Sequence, residues 1–80
     1  MRPAGEVRQA LLQAAGRLAT EERAPTLAEL AAESTVGYEA AMTTVKNMVR
    51  AGVLRIARQR PVDYRNRPVA EYVPAAFAGA

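Results

Sequence analysis

The chain has 80 residues, with 11 Lys and Arg against 8 Asp and Glu, a formal net charge of +3, and neither Cys nor His. A chain of this length forms one domain with a small core and leaves little room for an enclosed active site. Without Cys and His there are no disulfides, thiol nucleophiles, imidazole bases or the usual nitrogen and sulfur metal ligands. The composition therefore argues against an enzyme and predicts neither a metal site nor a cofactor.

No apolar run approaches the roughly 20 residues that a helix needs to span a bilayer, and the N-terminus lacks the apolar core of a signal peptide. We therefore expect a soluble, cytoplasmic protein with no membrane partner. The many Ala and Arg residues beside a single Lys are typical of a GC-rich, bacterial coding source.

The cationic side chains are concentrated in residues 46–67. This segment has seven of them and one carboxylate, Asp63, for a net charge of +6, whereas residues 1–45 sum to −2 and residues 68–80 to −1. Segregation of this kind indicates a polyanionic partner. The seven side chains belong to Lys46, Arg50, Arg55, Arg58, Arg60, Arg65 and Arg67.

The first predicted element is a helix over about residues 3–20. Its apolar stripe consists of Val7, Leu11, Ala14 and Leu18, at intervals of four, three and four. The chain then reaches a proline, and because proline disfavours helix in the residue before it, we expect two or three residues of edge strand here.

A second helix begins with a capping box at Thr26, whose hydroxyl can accept from the Glu29 amide while the Glu29 side chain accepts from the Thr26 amide. It ends near Glu33, and a turn leads to a third helix over about residues 37–51. In that helix a stripe of apolar residues faces inward, which leaves an outward set: Tyr38, Glu39, Met42, Thr43, Lys46, Asn47 and Arg50.

After Gly52 the pattern becomes strand-like. Residues 53–57 alternate, residues 68–73 form a second strand candidate, and the two are expected to pair as a hairpin. Pro61 interrupts the ladder between them, so residues 58–67 are predicted to be the loop at the tip. This loop holds four arginines: Arg58, Arg60, Arg65 and Arg67.

The segments TLAELAAESTVGYEAAMTTVKNMVRAGVL and RPVAEYVP resemble the two-helix unit and the returning wing strand of the winged helix-turn-helix superfamily. The resemblance covers roughly residues 5–74. It implies an α+β fold of three helices and a C-terminal β-hairpin wing, with a very short strand between helices 1 and 2. Residues 1–80 are then one domain, with the two-helix unit at about 26–51, the wing at about 53–74 and a short apolar tail at 75–80.

Two positions match the family pattern and two depart from it. Ala31 is small where two helices cross, and Val36 stands at the buried turn position. Thr35 replaces the usual glycine, and because a β-branched residue is costly in left-handed backbone, we expect a longer or differently shaped turn. Thr44 stands where an aliphatic residue is more usual.

The resemblance implies a small bacterial or phage transcriptional regulator that binds double-stranded DNA. The third helix would enter the major groove, with Tyr38, Glu39, Met42, Thr43 and Lys46 near the bases. Asn47 and Arg50 would contact the backbone. The wing would hold phosphates or the adjacent minor groove through its arginines, Arg58, Arg60, Arg65 and Arg67.

Other interpretations stay open at this point. The polar residues of the third helix can be a solvated face, Met42 and Tyr38 can belong partly to the core, and the arginines can serve solubility or an acidic protein partner. The main alternative is a winged-helix interaction module in a replication or transcription assembly, followed by RNA binding. A homodimer or a protein partner is compatible with the pattern, and no small-molecule ligand is evident.

Overall fold

A computed structural model describes residues 4–64 and 66–77. Its elements are α1 (Ala4–Leu18), α2 (Leu27–Ser34), α3 (Tyr38–Arg50), β1 (Leu54–Arg60) and β2 (Val69–Pro74), and the two strands pair antiparallel. This confirms the expected α+β class with three helices followed by a hairpin. Within the described ranges no helix has the length and apolar character to cross a membrane.

The three helices and the start of β1 enclose one core. The stripes predicted for the second and third helices face this core, as do Val7, Leu11 and Ala14 of the first, whereas Leu18 lies at a surface cleft instead. α1 ends at Leu18, earlier than predicted, and Gly16 within it is exposed. The buried core residues are Leu11, Ala14, Ala15, Leu30, Ala31, Ala41, Val45, Met48 and Leu54.

The predicted capping box is present at the start of α2. The amide of Glu29 donates to Oγ1 of Thr26 at 3.3 Å, and the amide of Thr26 donates to Oε1 of Glu29 at 2.9 Å. Two helix-end amides are thereby satisfied. The short strand expected before α2 is reduced to one bridge between Thr26 and Glu71, next to a hydrogen bond of 2.8 Å from the Tyr72 amide to the Pro25 carbonyl.

The turn between α2 and α3 has the tight left-handed form. Thr35 adopts φ 55° and ψ 33°, so the expectation of a longer or differently shaped turn was wrong. In this geometry the amides of Thr35 and Val36 donate to the carbonyls of Ala32 and Ala31 in α2, and Val36 packs against the core. These gains offset the cost of left-handed backbone at a non-glycine residue, about 1–2 kcal/mol.

β1 continues through Arg58 and Arg60, so the prediction that these arginines lie in the loop at the tip was wrong. The strands are in register with Arg55 opposite Val73 and Arg58 opposite Glu71, and Ala57 is the extra residue of a β-bulge. Directly opposite residues of an antiparallel pair share a face. The bulge therefore turns Arg58 and Arg60 onto the face of Glu71.

Candidate nucleic-acid interface

The outward side of α3 is a strip of polar side chains. Glu39, Thr43, Lys46 and Arg50 fall along one side of the helix, opposite the buried stripe, because each residue turns the helix by about 100°. All four are exposed, as is the neighbouring Asn47. A strip of this composition can accept and donate hydrogen bonds at base edges and can neutralise phosphates.

Tyr38 and Met42 lie on the flank of α3 rather than on this strip. Tyr38 is 49% exposed, whereas Met42 is partly buried. Tyr38 also lines a cleft shared with the hairpin, so this flank of the helix faces β2. Thr44, on the opposite flank, is partly buried as well. The DNA contacts predicted for Tyr38 and Met42 stay predictions.

Three of the predicted cations have no carboxylate partner among residues 4–64 and 66–77. Lys46 and Arg50 lie on α3 and Arg67 lies at the end of the hairpin loop, and all three are exposed. Arg65 lies outside the described residues. Unpaired exposed cations attract a polyanion at long range, and the attraction weakens as salt is added.

Arg58 and Arg60 instead surround a buried carboxylate. Glu71 is only 2% exposed, and its Oε1 accepts from Nη1 of Arg58 at 2.6 Å and from the Ala24 amide at 3.1 Å. Nε of Arg60 lies 2.9 Å from the other oxygen, Oε2, in the geometry of an ion pair without the alignment of a hydrogen bond. A buried carboxylate requires such partners, because removing its charge from water is costly.

The same cluster reaches α2 and the segment before it. Nη2 of Arg60 donates to Glu29 at 2.7 Å, and Nη2 of Arg23 donates to the other oxygen of Glu29 at 2.8 Å. Nη2 of Arg58 donates to the Glu21 carbonyl at 3.1 Å. Partial burial acts to raise the pKa of Glu29, but the Thr26 amide and the two guanidinium groups outweigh it and hold that pKa below its usual value.

We call these five side chains, Arg23, Glu29, Arg58, Arg60 and Glu71, the Glu71 cluster. The cluster changes the role that Arg58 and Arg60 can have. Both arginines pair with Glu71, and Arg60 also pairs with Glu29. Arg58 therefore ties the hairpin to the segment before α2 and Arg60 ties it to α2, rather than projecting from the tip. The sequence did contain a signal that was missed. Glu71 alternates in phase with Val69 and Val73, and an acidic residue on the inward face of a strand needs a cationic partner.

Two tyrosines that were not predicted as site residues lie beside Tyr38. Tyr38, Tyr64 and Tyr72 line one cleft between the start of α2, the start of α3 and the hairpin. Partial burial, together with the neighbouring Tyr38, raises the pKa of the Tyr72 hydroxyl. The surroundings of Tyr72 therefore favour its neutral phenol, and the cleft presents three aromatic rings with their hydroxyl groups.

No group of acidic residues suited to holding a metal ion occurs in the described part of the chain. No protein-family model, curated protein or solved structure matches the sequence, so the interpretation of this surface rests on its own geometry.

Proposed function

We propose that the protein binds double-stranded DNA sequence-specifically, as a small transcriptional regulator with a winged helix-turn-helix arrangement. One observation carries the proposal: α3 presents an exposed polar strip with two cations, Lys46 and Arg50, that no carboxylate of the described residues neutralises. The order of three helices and a hairpin, with a tight turn before α3, is compatible with that arrangement.

The proposed contacts divide between helix and hairpin. Thr43 and Lys46 lie at the centre of the strip and are suited to base edges in a major groove, with Glu39 as an acceptor for cytosine. Arg50, one turn further along α3, is suited to the backbone, as is Asn47. Arg67 contacts phosphate from the hairpin loop. Because the Glu71 cluster engages Arg58 and Arg60, we assign them to holding the hairpin.

The first test is the salt dependence of duplex binding, measured by fluorescence anisotropy with a pool of labelled duplexes. Lys46, Arg50, Arg67 and the neighbouring Arg65 supply three to four phosphate contacts, so log affinity should fall against log salt with a slope of about −3 to −4. Arg67→Ala should reduce the slope by about 1. Arg8→Ala, an exposed arginine on α1, is the matched control and should leave it unchanged.

The second test is selection from a random duplex library. Thr43→Ala should change the preferred sequence, whereas Arg67→Ala should weaken binding to all duplexes alike. A single module of this kind buries only about 600–1,000 Å², so tight binding is expected to need two copies or a partner.

Two results would count against DNA as the ligand. A flat salt dependence, or no duplex binding at low salt, would favour the alternative function, in which the module docks on a protein within a replication or transcription assembly. A third result would keep DNA as the ligand but change the reading surface. If Thr43→Ala left the preferred sequence unchanged and Arg67→Ala altered it, base recognition would be assigned to the hairpin instead of α3.

A further inference from the structure

All three tyrosines of the chain line the same cleft. Tyr38 comes from the first turn of α3, Tyr64 from the hairpin loop and Tyr72 from β2. Tyr38 is 49% and Tyr64 65% exposed, so neither ring is committed to the core. The remaining walls are apolar or small and come from the start of α2 and from the hairpin: Thr26, Leu27, Ala28, Pro68, Val69 and Ala70. We call this site the tyrosine cleft.

The size of the tyrosine cleft limits what it can hold. Its volume is about 170 Å³. A protein cavity of about 150 Å³ accommodates one benzene molecule. The cleft therefore has room for about one flat ring system and is too small to enclose a helix or a strand.

The tyrosine cleft differs from other clefts of the described surface in its charge. None of its lining residues is acidic. Three other clefts on the described surface each contain carboxylates: Glu29 and Glu33 in the first, Glu29 in the second and Glu6 in the third. Arg67, exposed and without an ion-pair partner in the described ranges, directly precedes Pro68 of the cleft wall, and the exposed Asp63 directly precedes Tyr64. A ring in the cleft would bring its phosphate towards the end of the hairpin loop, where Arg67 supplies a cation.

We propose that the tyrosine cleft binds one unpaired nucleobase of a DNA strand, with Tyr64 and Tyr38 stacking on the ring and Arg67 holding the flanking phosphate. The proposal rests on the proposed function in one respect: the exposed strip of α3 holds the adjoining duplex. The ligand is thereby narrowed to a junction between duplex and single strand. Stacking of bases on aromatic side chains tolerates all sequences, because every base has a π face.

The test compares blunt duplexes with duplexes of the same sequence that carry a short single-stranded overhang, 5′ or 3′. The overhang of one polarity should raise affinity about tenfold, within the range known for stacking of one base on an aromatic residue. Tyr64→Ala should remove this gain and leave blunt-duplex affinity unchanged, while Tyr64→Phe should keep it. Gln13→Ala truncates an exposed side chain on α1, outside the cleft, and is the control.

Intrinsic fluorescence gives an independent readout. The chain has no Trp, so its fluorescence is dominated by tyrosine, and all three tyrosines line the cleft. The overhang duplex should quench this emission more than the blunt duplex does. Tyr64→Ala should reduce the difference.

The outcomes separate this proposal from the proposed function. Equal affinity for blunt and overhang duplexes of either polarity overturns the cleft assignment and leaves duplex binding intact. Binding to single strands alone, lost in Tyr64→Ala, supports the cleft and overturns the proposed function. An overhang gain that survives Tyr64→Ala, or no binding to any DNA, overturns the cleft.

Discussion

The charge of Glu71 should be required for the stability of the fold. We consider Glu71→Gln, which keeps the size of the side chain and an oxygen that can accept from the Ala24 amide. The change removes the negative charge from between Arg58 and Arg60, whose side chains are 34% and 21% exposed. Two half-buried guanidinium groups then face a neutral amide.

The expected loss follows from the remaining contacts. Removing one partner of a fully buried ion pair costs about 3–5 kcal/mol. Arg60 keeps Glu29 and Arg58 keeps the Glu21 carbonyl, and both retain some access to water. We therefore expect Glu71→Gln to lower the free energy of unfolding by about 2–3 kcal/mol. The whole free energy of unfolding of a domain of this size is roughly 4–12 kcal/mol, so this loss should lower the melting temperature by about 10–20 °C.

The assay is urea unfolding followed by circular dichroism, with thermal unfolding as a second measurement. Glu33→Gln is the matched control, because Glu33 pairs with Arg17 at 3.0 Å on the surface. Such exposed pairs contribute about 0–1 kcal/mol. The slope of unfolding against urea should be the same in both variants, since neither changes the surface exposed on unfolding.

A Glu71→Gln variant that is as stable as Glu33→Gln would refute the reasoning. The hairpin would then be held without the charge of Glu71, through apolar packing and contacts such as the hydrogen bond from the Tyr72 amide to the Pro25 carbonyl, and the guanidinium group of Arg58 would be free to turn outward. In that case the assignment of Arg58 to phosphate contact, as the sequence first suggested, would again be the better one.

Three further predictions concern α2 and its ends. Thr26→Ala removes the hydroxyl that accepts the Glu29 amide and should lower the free energy of unfolding by about 1 kcal/mol, measured in urea, whereas Ala28→Ser in the exposed first turn should have little effect. Because the pKa of Glu29 is lowered in the folded state, its contribution is complete above the ordinary value of 4.5 and is lost as pH falls through the lowered value. Unfolding free energies measured across this range should therefore fall less steeply in Glu29→Gln than in the parent protein, and equal steepness would contradict the shift. Thr35→Gly relieves about 1–2 kcal/mol of left-handed backbone, costs about 0.5–1 kcal/mol through the unfolded chain and removes the hydrogen bond of 2.6 Å from the Thr35 hydroxyl to the Ser34 carbonyl, so it should stabilise by no more than about 0.5 kcal/mol. A destabilised Thr35→Gly variant would mean that side-chain contacts of Thr35 outweigh the backbone cost.

Local signals were sufficient for the helices. The capping box at Thr26 and Glu29 and the apolar stripe of α3 are short-range patterns, and both are present in the fold. The left-handed turn at Thr35 was missed for a physical reason. A threonine disfavours left-handed backbone, but the packing of Val36 and the hydrogen bonds from the turn amides to α2 outweigh this cost. Which of these effects is larger depends on the core.

The candidate site also has a part that the sequence predicted and a part that it did not. The helical periodicity of the apolar residues was enough to predict that Thr43, Lys46 and Arg50 face outward, because a helix repeats regularly and the sequence shows its buried stripe clearly. Periodicity could not determine the direction of Arg58 and Arg60. A one-residue bulge reverses the alternation of a strand, and nothing in LRIARQR marks Ala57 as the extra residue.

The sequence by itself determined the order of the three helices and the hairpin, most of the inward stripes of the helices and the concentration of positive charge after residue 45. Only the tertiary structure decided how that charge is used, because the decision depends on Glu71, which meets Arg58 across the hairpin and Ala24 from before α2. It also gathered Tyr38, Tyr64 and Tyr72 into one cleft from three separate segments. Contacts between distant segments follow from the three-dimensional packing of the chain, which local sequence patterns do not encode.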